Sequence, residues 1–140
     1  MNKTLSTSFL PVNPPELGSP SGFSHGLVAP PGSRVVFVAG QTASDASGRI
    51  ADRTFPAQFE AALSHVLAVV AAAGGRPEDI GRMLIFVTDL DGYLAARPVL
   101  GAIWKRLMGA HYPAISLVEV SRLVEPAAAV EIEATAVLPA

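Results

Sequence analysis

Met83-Leu-Ile-Phe-Val-Thr88 is an almost unbroken apolar run of strand length with a helical repeat on either side, and this arrangement most narrows what the chain can fold into. A strand that is apolar on both faces must be covered on both, so it belongs in the interior of a sheet. Before it, from Thr54 at the N-cap position with Pro56 in the first turn to Ala73, the apolar residues Phe59, Leu63, Val66, Leu67 and Val70 recur at helical spacing, and Gly74-Gly75 ends the repeat. After Pro77-Glu-Asp-Ile80, a short turn, and the strand itself, Asp89-Leu-Asp-Gly92 leads into a second helix over Tyr93 to Met108. Its buried positions are expected at Val99, Leu100, Ile103 and Leu107, with Gly109 as the stop.

The rest of the chain reads as strands and turns. Gly26-Leu-Val-Ala29 and Arg34-Val-Val-Phe-Val-Ala39 are β-rich runs around a Pro/Gly turn, Pro30 to Ser33, and are expected to form a hairpin. Gln41 to Arg53 reads as a loop turning at Asp45-Ala-Ser-Gly48, while Ile115 to Val120 and Val130 to Leu138 are the last two strands. Residues 1–20, interrupted by Pro11, Pro14, Pro15 and Pro20, read as an irregular N-terminal arm ahead of a single domain over 21–140. The fold expected is α+β, a mixed β-sheet with two helices on one face in the order β-β-α-β-α-β-β. Its other face needs a cover, and a mean hydropathy of +0.41 in so small a chain points to surface buried between subunits of a homo-oligomer.

Composition removes several function classes. With 140 residues, 50% of them hydrophobic, the chain has the material for one packed core. It has no cysteine, hence no disulfide and no thiolate nucleophile, and its three scattered histidines have no metal-ligand spacing, so the chemistry expected is metal-free and without cofactor. A net charge of −2 without a Lys/Arg cluster argues against a nucleic-acid partner. The longest apolar run, Val66 to Ala73, is far short of the roughly 18 residues that span a bilayer, so no membrane partner is expected. The first twenty residues lack the apolar core of a secretory signal, and a cytoplasmic location is the expectation.

Four stretches carry a resemblance. Ser21-Gly-Phe-Ser-His-Gly26, Phe37-Val-Ala-Gly-Gln41, Val87-Thr-Asp-Leu90, and Tyr112-Pro-Ala-Ile-Ser-Leu-Val-Glu-Val-Ser-Arg-Leu123 with Val130-Glu-Ile-Glu-Ala134 resemble, in order, motifs of the reactive-intermediate deaminase (RidA or YjgF) family. The similarity covers about Ser21 to Val137. It implies the YjgF-like (chorismate mutase-like) fold, a homotrimer packed through the uncovered sheet faces, and a small-molecule ligand in each intersubunit cleft. The family's usual Pro-Ala-Arg-Ser is here Pro113-Ala-Ile-Ser116, so Ile115 stands where an Arg would grip the carboxylate of a 2-imino or 2-enamino acid.

Carried over singly, the family's pocket falls on Phe23, Ala39, Gly40, Arg97, Ile115, Leu117 and Glu131. Phe23, Ile115 and Leu117 are more apolar than the family's wording, which implies a greasier pocket and a less acidic or bulkier substrate. Glu131 is the expected catalytic group, a carboxylate whose pKa an apolar cleft would raise, suited to deprotonate a water attacking a C=N bond. The alternative for Glu131 is a rim carboxylate paired with a cation, and Glu133 shares its strand face. Arg97 has two readings: a guanidinium that replaces the missing clamp from another wall, or part of an exposed helix face beside an irregular Arg97-Pro98 step near the helix start.

His25 falls on Phe23's side by strand alternation and reads as a base or a structural hydrogen-bonding residue; His65 and His111 read as surface or packing residues. Trp104 continues an apolar stripe and reads as core or interface, and Asp89 and Asp91 as helix-start residues. Three functions follow for comparison: an enamine/imine hydrolase releasing ammonia and a carbonyl compound, a trimeric binding protein for a small hydrophobic or aromatic ligand, and, with least support, a ribonuclease.

Overall fold

The computed structural model describes residues 9–140. In chain order the elements are β1 (Leu10–Val12), β2 (Gly26–Val28), β3 (Arg34–Gln41), α1 (Phe55–Ala72), β4 (Ile80–Val87), α2 (Leu90–Met108), β5 (Ala114–Glu119) and β6 (Val130–Leu138). The expected α+β order is present, with one strand added in front. The main sheet runs β3-β6-β4-β5. β4 pairs in parallel with β5 and antiparallel with β6, so both edges of its backbone are satisfied, as its apolar sequence requires. Parallel neighbours need a crossover between them, and α2 supplies it.

Both helices cover one face. Phe59, Ala62, Leu63, Val66 and Val70 of α1 and Leu100, Ile103, Trp104 and Met108 of α2 form one core with Met83, Ile85 and Val87 of β4 and Ile132, Ala134 and Ala136 of β6. α1 has the length and composition of a membrane-crossing segment, contrary to the expectation from apolar runs, but its apolar stripe is buried against the sheet and α2, the place of a core helix. Within that core Gln58 is buried and fully satisfied. Its Nε2 donates to the carbonyls of Asp52 and Ala127 at 3.2 and 3.1 Å, and its Oε1 accepts from Ala129 N at 2.8 Å, which ties the β5–β6 connection to α1. The helix ends at Gly74, whose φ of 90° favours glycine.

Among the described residues, the other sheet face is bare. Cross-strand pairs place Phe37 beside Thr135, Leu84 beside Glu133 and Ser116, and Phe86 beside Glu131 and Val118 on that face. Phe37 is 83% exposed and Val118 43% exposed, an apolar surface rather than a polar one.

Several local expectations change. Residues 10–12, inside the stretch read as an irregular arm, form β1, and Pro15–Leu17 form a 3-10 turn; residues 1–8 of that arm lie outside the described residues. The expected hairpin is absent: β2 pairs with β1, while β3 pairs with β6, because the nine-residue β6 matches the long β3 in length and apolar alternation and the three-residue β2 does not. α2 begins at Leu90, since Asp89 accepts from Gly92 N at 3.0 Å and the Glu119 carboxylate accepts from Leu90 N at 2.8 Å. Arg97-Pro98 therefore lies inside a continuous helix rather than near an irregular start. Val99 is 53% exposed rather than buried, because the inward stripe of α2 is centred on Leu100, Ile103 and Trp104.

Candidate functional site

The seven residues singled out from sequence divide into two sets on opposite faces of the sheet. Phe23, Arg97, Ile115 and Leu117 line one cavity of about 420 Å³ on the helix side of β5, a volume within the range of small-molecule sites. Ile115 and Leu117 face it because they pair with the inward-facing Met83 and Ile85 of β4. Phe23 reaches it from a bent segment that is tied to the start of β5, where Ser24 N donates to Pro113 O at 3.0 Å and Ser24 Oγ to Tyr112 O at 2.8 Å. Arg97 stands on the α2 wall. It is exposed and makes no ion pair among the described residues; the salt bridge they contain joins Arg106 of α2 to Glu60 of α1.

Four aromatic residues in this cavity lay outside the sequence-derived set, among them Phe59 of α1. Tyr93, Trp104 and Tyr112 line it together with Arg97 and Gly101. Trp104 is held firmly: its Nε1 donates to His111 O at 3.2 Å and its ring stacks on Tyr112 at 5.9 Å with 6° between the planes. The signal was present in the spacing, since 93, 97, 100, 101 and 104 recur on one face of a helix. It was absorbed into the reading of Trp104 as core, which its 8% exposure also justifies.

Ala39, Gly40 and Glu131 form the second set, away from that cavity. β3 slips register against β6 between Val38 and Gln41, a bulge that puts Ala39 and Gly40 beside the β6 glutamates. Gly40 lies directly under Glu131: a Cβ there would sit 2.7 Å from Glu131 Oε1. Glu131 is half-buried and has no cation partner among the described residues, so the rim ion pair is not formed within the chain. Ala39 and Glu133, with Phe37, Arg82 and Leu84, line a smaller depression of about 360 Å³ on the same open face.

The histidines are all held by backbone carbonyls. His25 lies in a bend, not on a strand, with Nε2 3.2 Å from Gly18 O and its ring edge-on to Phe23 at 5.1 Å. His65 Nδ1 lies 2.8 Å from Thr42 O, and His111 Nε2 lies 2.7 Å from Ile80 O. No group of three or more His, Cys, Asp or Glu able to hold a metal occurs among the described residues. The expected readings of His65 and His111 as packing residues and of Asp89 as a helix cap agree with this geometry.

The family model described as Endoribonuclease L-PSP matches residues 16–138. The chain belongs to this family, the RidA/YjgF proteins. YyfB of Yersinia pestis, a protein of the Rid family, is 33% identical over 93% of this chain and 98% of its own, with a TM-score of 0.80. TdcF of E. coli, solved with bound serine, is 34% identical over 87% of this chain and 92% of its own, with a TM-score of 0.66. The YjgF gene product of E. coli is 31% identical over 89% of this chain and 92% of its own, with a TM-score of 0.65. No curated protein sequence matches the chain.

Proposed function

We propose that this protein hydrolyses an enamine or imine to a carbonyl compound and ammonia, at sites that each combine the helix-side cavity of one subunit with Glu131 of a neighbour in a homotrimer. The observation that carries this reading is the division of the candidate residues. Phe23, Arg97, Ile115 and Leu117 share one cavity, whereas Glu131 and Gly40 share the opposite, apolar and uncovered face. A strand cannot present Glu131 and Ile132 to the same side, so a site that uses both sets needs a second copy. The exposed Phe37 and Val118 on the Glu131 face are the surface such a copy would cover.

In the reaction, a water oxygen adds to the carbon of C=N while Glu131 takes the water's proton and passes it to the nitrogen. In the tetrahedral adduct the hydroxyl proton then passes by way of Glu131 to the amine, the C–N bond breaks as the C=O bond forms, and ammonia leaves. TdcF, with its bound serine, is a relative whose fold holds a small molecule bearing an amine and a carboxylate. The ribonuclease named in the family description has no support from charge: the chain carries −2 overall, and Arg106 is already paired with Glu60.

The test is ammonia release from imines generated in situ by an amino-acid oxidase. Glu131→Gln is expected to reduce turnover about 10²- to 10⁴-fold. Refolded mixtures of Glu131→Gln and Arg97→Glu chains should recover about a quarter of the native activity, the share of interfaces in which both halves are intact. No recovery on mixing, with trimers formed, would sink the shared-site reading.

A further inference from the structure

The helix-side cavity has a composition that selects among ligands. One wall is the stacked Trp104–Tyr112 pair, rigid because the indole N–H is tied to His111 O. Tyr93 and Phe23 extend the aromatic lining. Against these stands a single cation, Arg97, with no acidic residue at the neighbouring helical positions 93, 94, 100 and 101, which are Tyr, Leu, Leu and Gly. A guanidinium left without an intrachain partner at the mouth of an apolar cavity is the donor a carboxylate would use.

Gly101 is the second unusual feature. It sits in the interior of α2, where glycine costs roughly 1 kcal/mol relative to alanine, yet its φ is not in the left-handed region and a Cβ there would meet nothing within 4 Å. Neither backbone geometry nor packing within the chain requires it. The space in front of it is the cavity itself, which Gly101 helps to line.

We propose that the cavity takes a carboxylate carrying an aryl group, with Arg97 holding the carboxylate, the Trp104–Tyr112 pair forming the wall on which the ring lies, and Gly101 leaving room for that ring. The inference rests on the reading of this cavity as the pocket of the hydrolase site and names its substrate class: imines of aromatic amino acids rather than of small aliphatic ones. Ile115, in place of a cationic residue, then lies under the apolar part of the ligand, and the carboxylate is gripped from α2 instead of β5.

Trp104 is the chain's one tryptophan, so its fluorescence reports occupancy of this wall directly. The experiment titrates the assembled native protein with 3-phenylpropanoate, propanoate and 3-phenylpropanamide. The aryl acid is expected to change the emission saturably, with propanoate and the amide each binding at least about tenfold more weakly. Arg97→Ala should weaken the aryl acid about tenfold and leave the amide unchanged. Gly101→Leu should abolish aryl-acid binding. Gly101→Ala should weaken it less, in a helix that is if anything more stable, which separates lost space from lost fold.

Propanoate or the amide binding as tightly as the aryl acid would overturn the proposal, as would an Arg97→Ala protein of unchanged affinity. Turnover of aliphatic imines by a protein that does not bind the aryl acid would overturn it while leaving the hydrolase reading in place. Aryl-acid binding at Trp104, sensitive to Arg97 and Gly101, without turnover of any imine, would uphold the ligand class and remove the hydrolase reading.

Discussion

The two faces of the sheet in this protein are built on opposite terms. The helix side is a packed core that lines a cavity, with Gln58 and Trp104 held by hydrogen bonds to backbone carbonyls. The open side carries Phe37, Val118 and the glutamates of β6 with no element above them among the described residues. A core face that is already satisfied can hold a ligand cavity without help. The apolar open face is the one on which the proposed assembly depends, and the acid proposed for catalysis lies there. The cavity and Glu131 thus lie on surfaces of different construction, which gives ways to separate their proposed roles.

The largest effect expected is from Phe37→Glu. A charge at Phe37, the most exposed large apolar residue of the open face, cannot be buried unpaired, so the variant should run as a smaller species in light scattering and lose imine turnover. Its far-UV circular dichroism should stay native because Phe37 contributes nothing to the helix-side core. A trimeric Phe37→Glu protein would break the comparison.

Gly40→Ala is a finer cut. The new methyl would meet the end of a flexible side chain, Glu131 Oε1, so Glu131 swings aside at little cost to stability. Because about an ångström of misplacement can cost on the order of 10²-fold in rate, turnover should fall by roughly that factor with Tm within about 2 °C of native. Aryl-acid binding reported by Trp104 should be preserved. Loss of binding together with activity would mean the two faces are coupled more tightly than the single chain suggests.

The smallest effect is a control that touches neither face. Hydrogen bonds from Ser47 and Arg49 hold the Asp45 carboxyl below its ordinary value of 3.8, and those from Thr54 do the same for Asp52. A lowered folded-state pKa means that the stabilisation is fully present above the unfolded value and is lost as pH falls through the folded one. Hydrogen exchange in the loop before α1 should therefore quicken only below about pH 4, with the cavity and the open face unaffected in the same spectra.

The extent to which this was legible from sequence differs by region. Period 3.6 around Phe59 to Val70 and around Val99 to Leu107, with the continuous run at Met83 to Thr88, pointed to α1, α2 and the interior strand β4, because each pattern has one low-energy way to bury its apolar side chains. Strand partnership was less accessible. β2 and β3 are neighbours in sequence around a Pro/Gly turn, but pairing depends on matching length and alternation, and β6, nearly a hundred residues on, matches β3 better. Val99 was misplaced because a helix stripe read from sequence is uncertain by one position, and 100° of rotation is enough to turn a side chain into water.

For the site, sequence determined which residue types occur: an apolar residue at 115, an acid at 131, an arginine at 97 and one tryptophan at 104. Those identities are local facts, and they already ruled out a thiolate and favoured an apolar pocket. Tertiary structure decided who meets whom. It put Trp104, Tyr112 and Arg97 around one cavity, placed Gly40 beneath Glu131, and set the two groups on opposite faces of one sheet. The physical reason is the two-residue period of a strand: which side a residue faces is fixed only when register and covering layers are known, and both are properties of the whole fold.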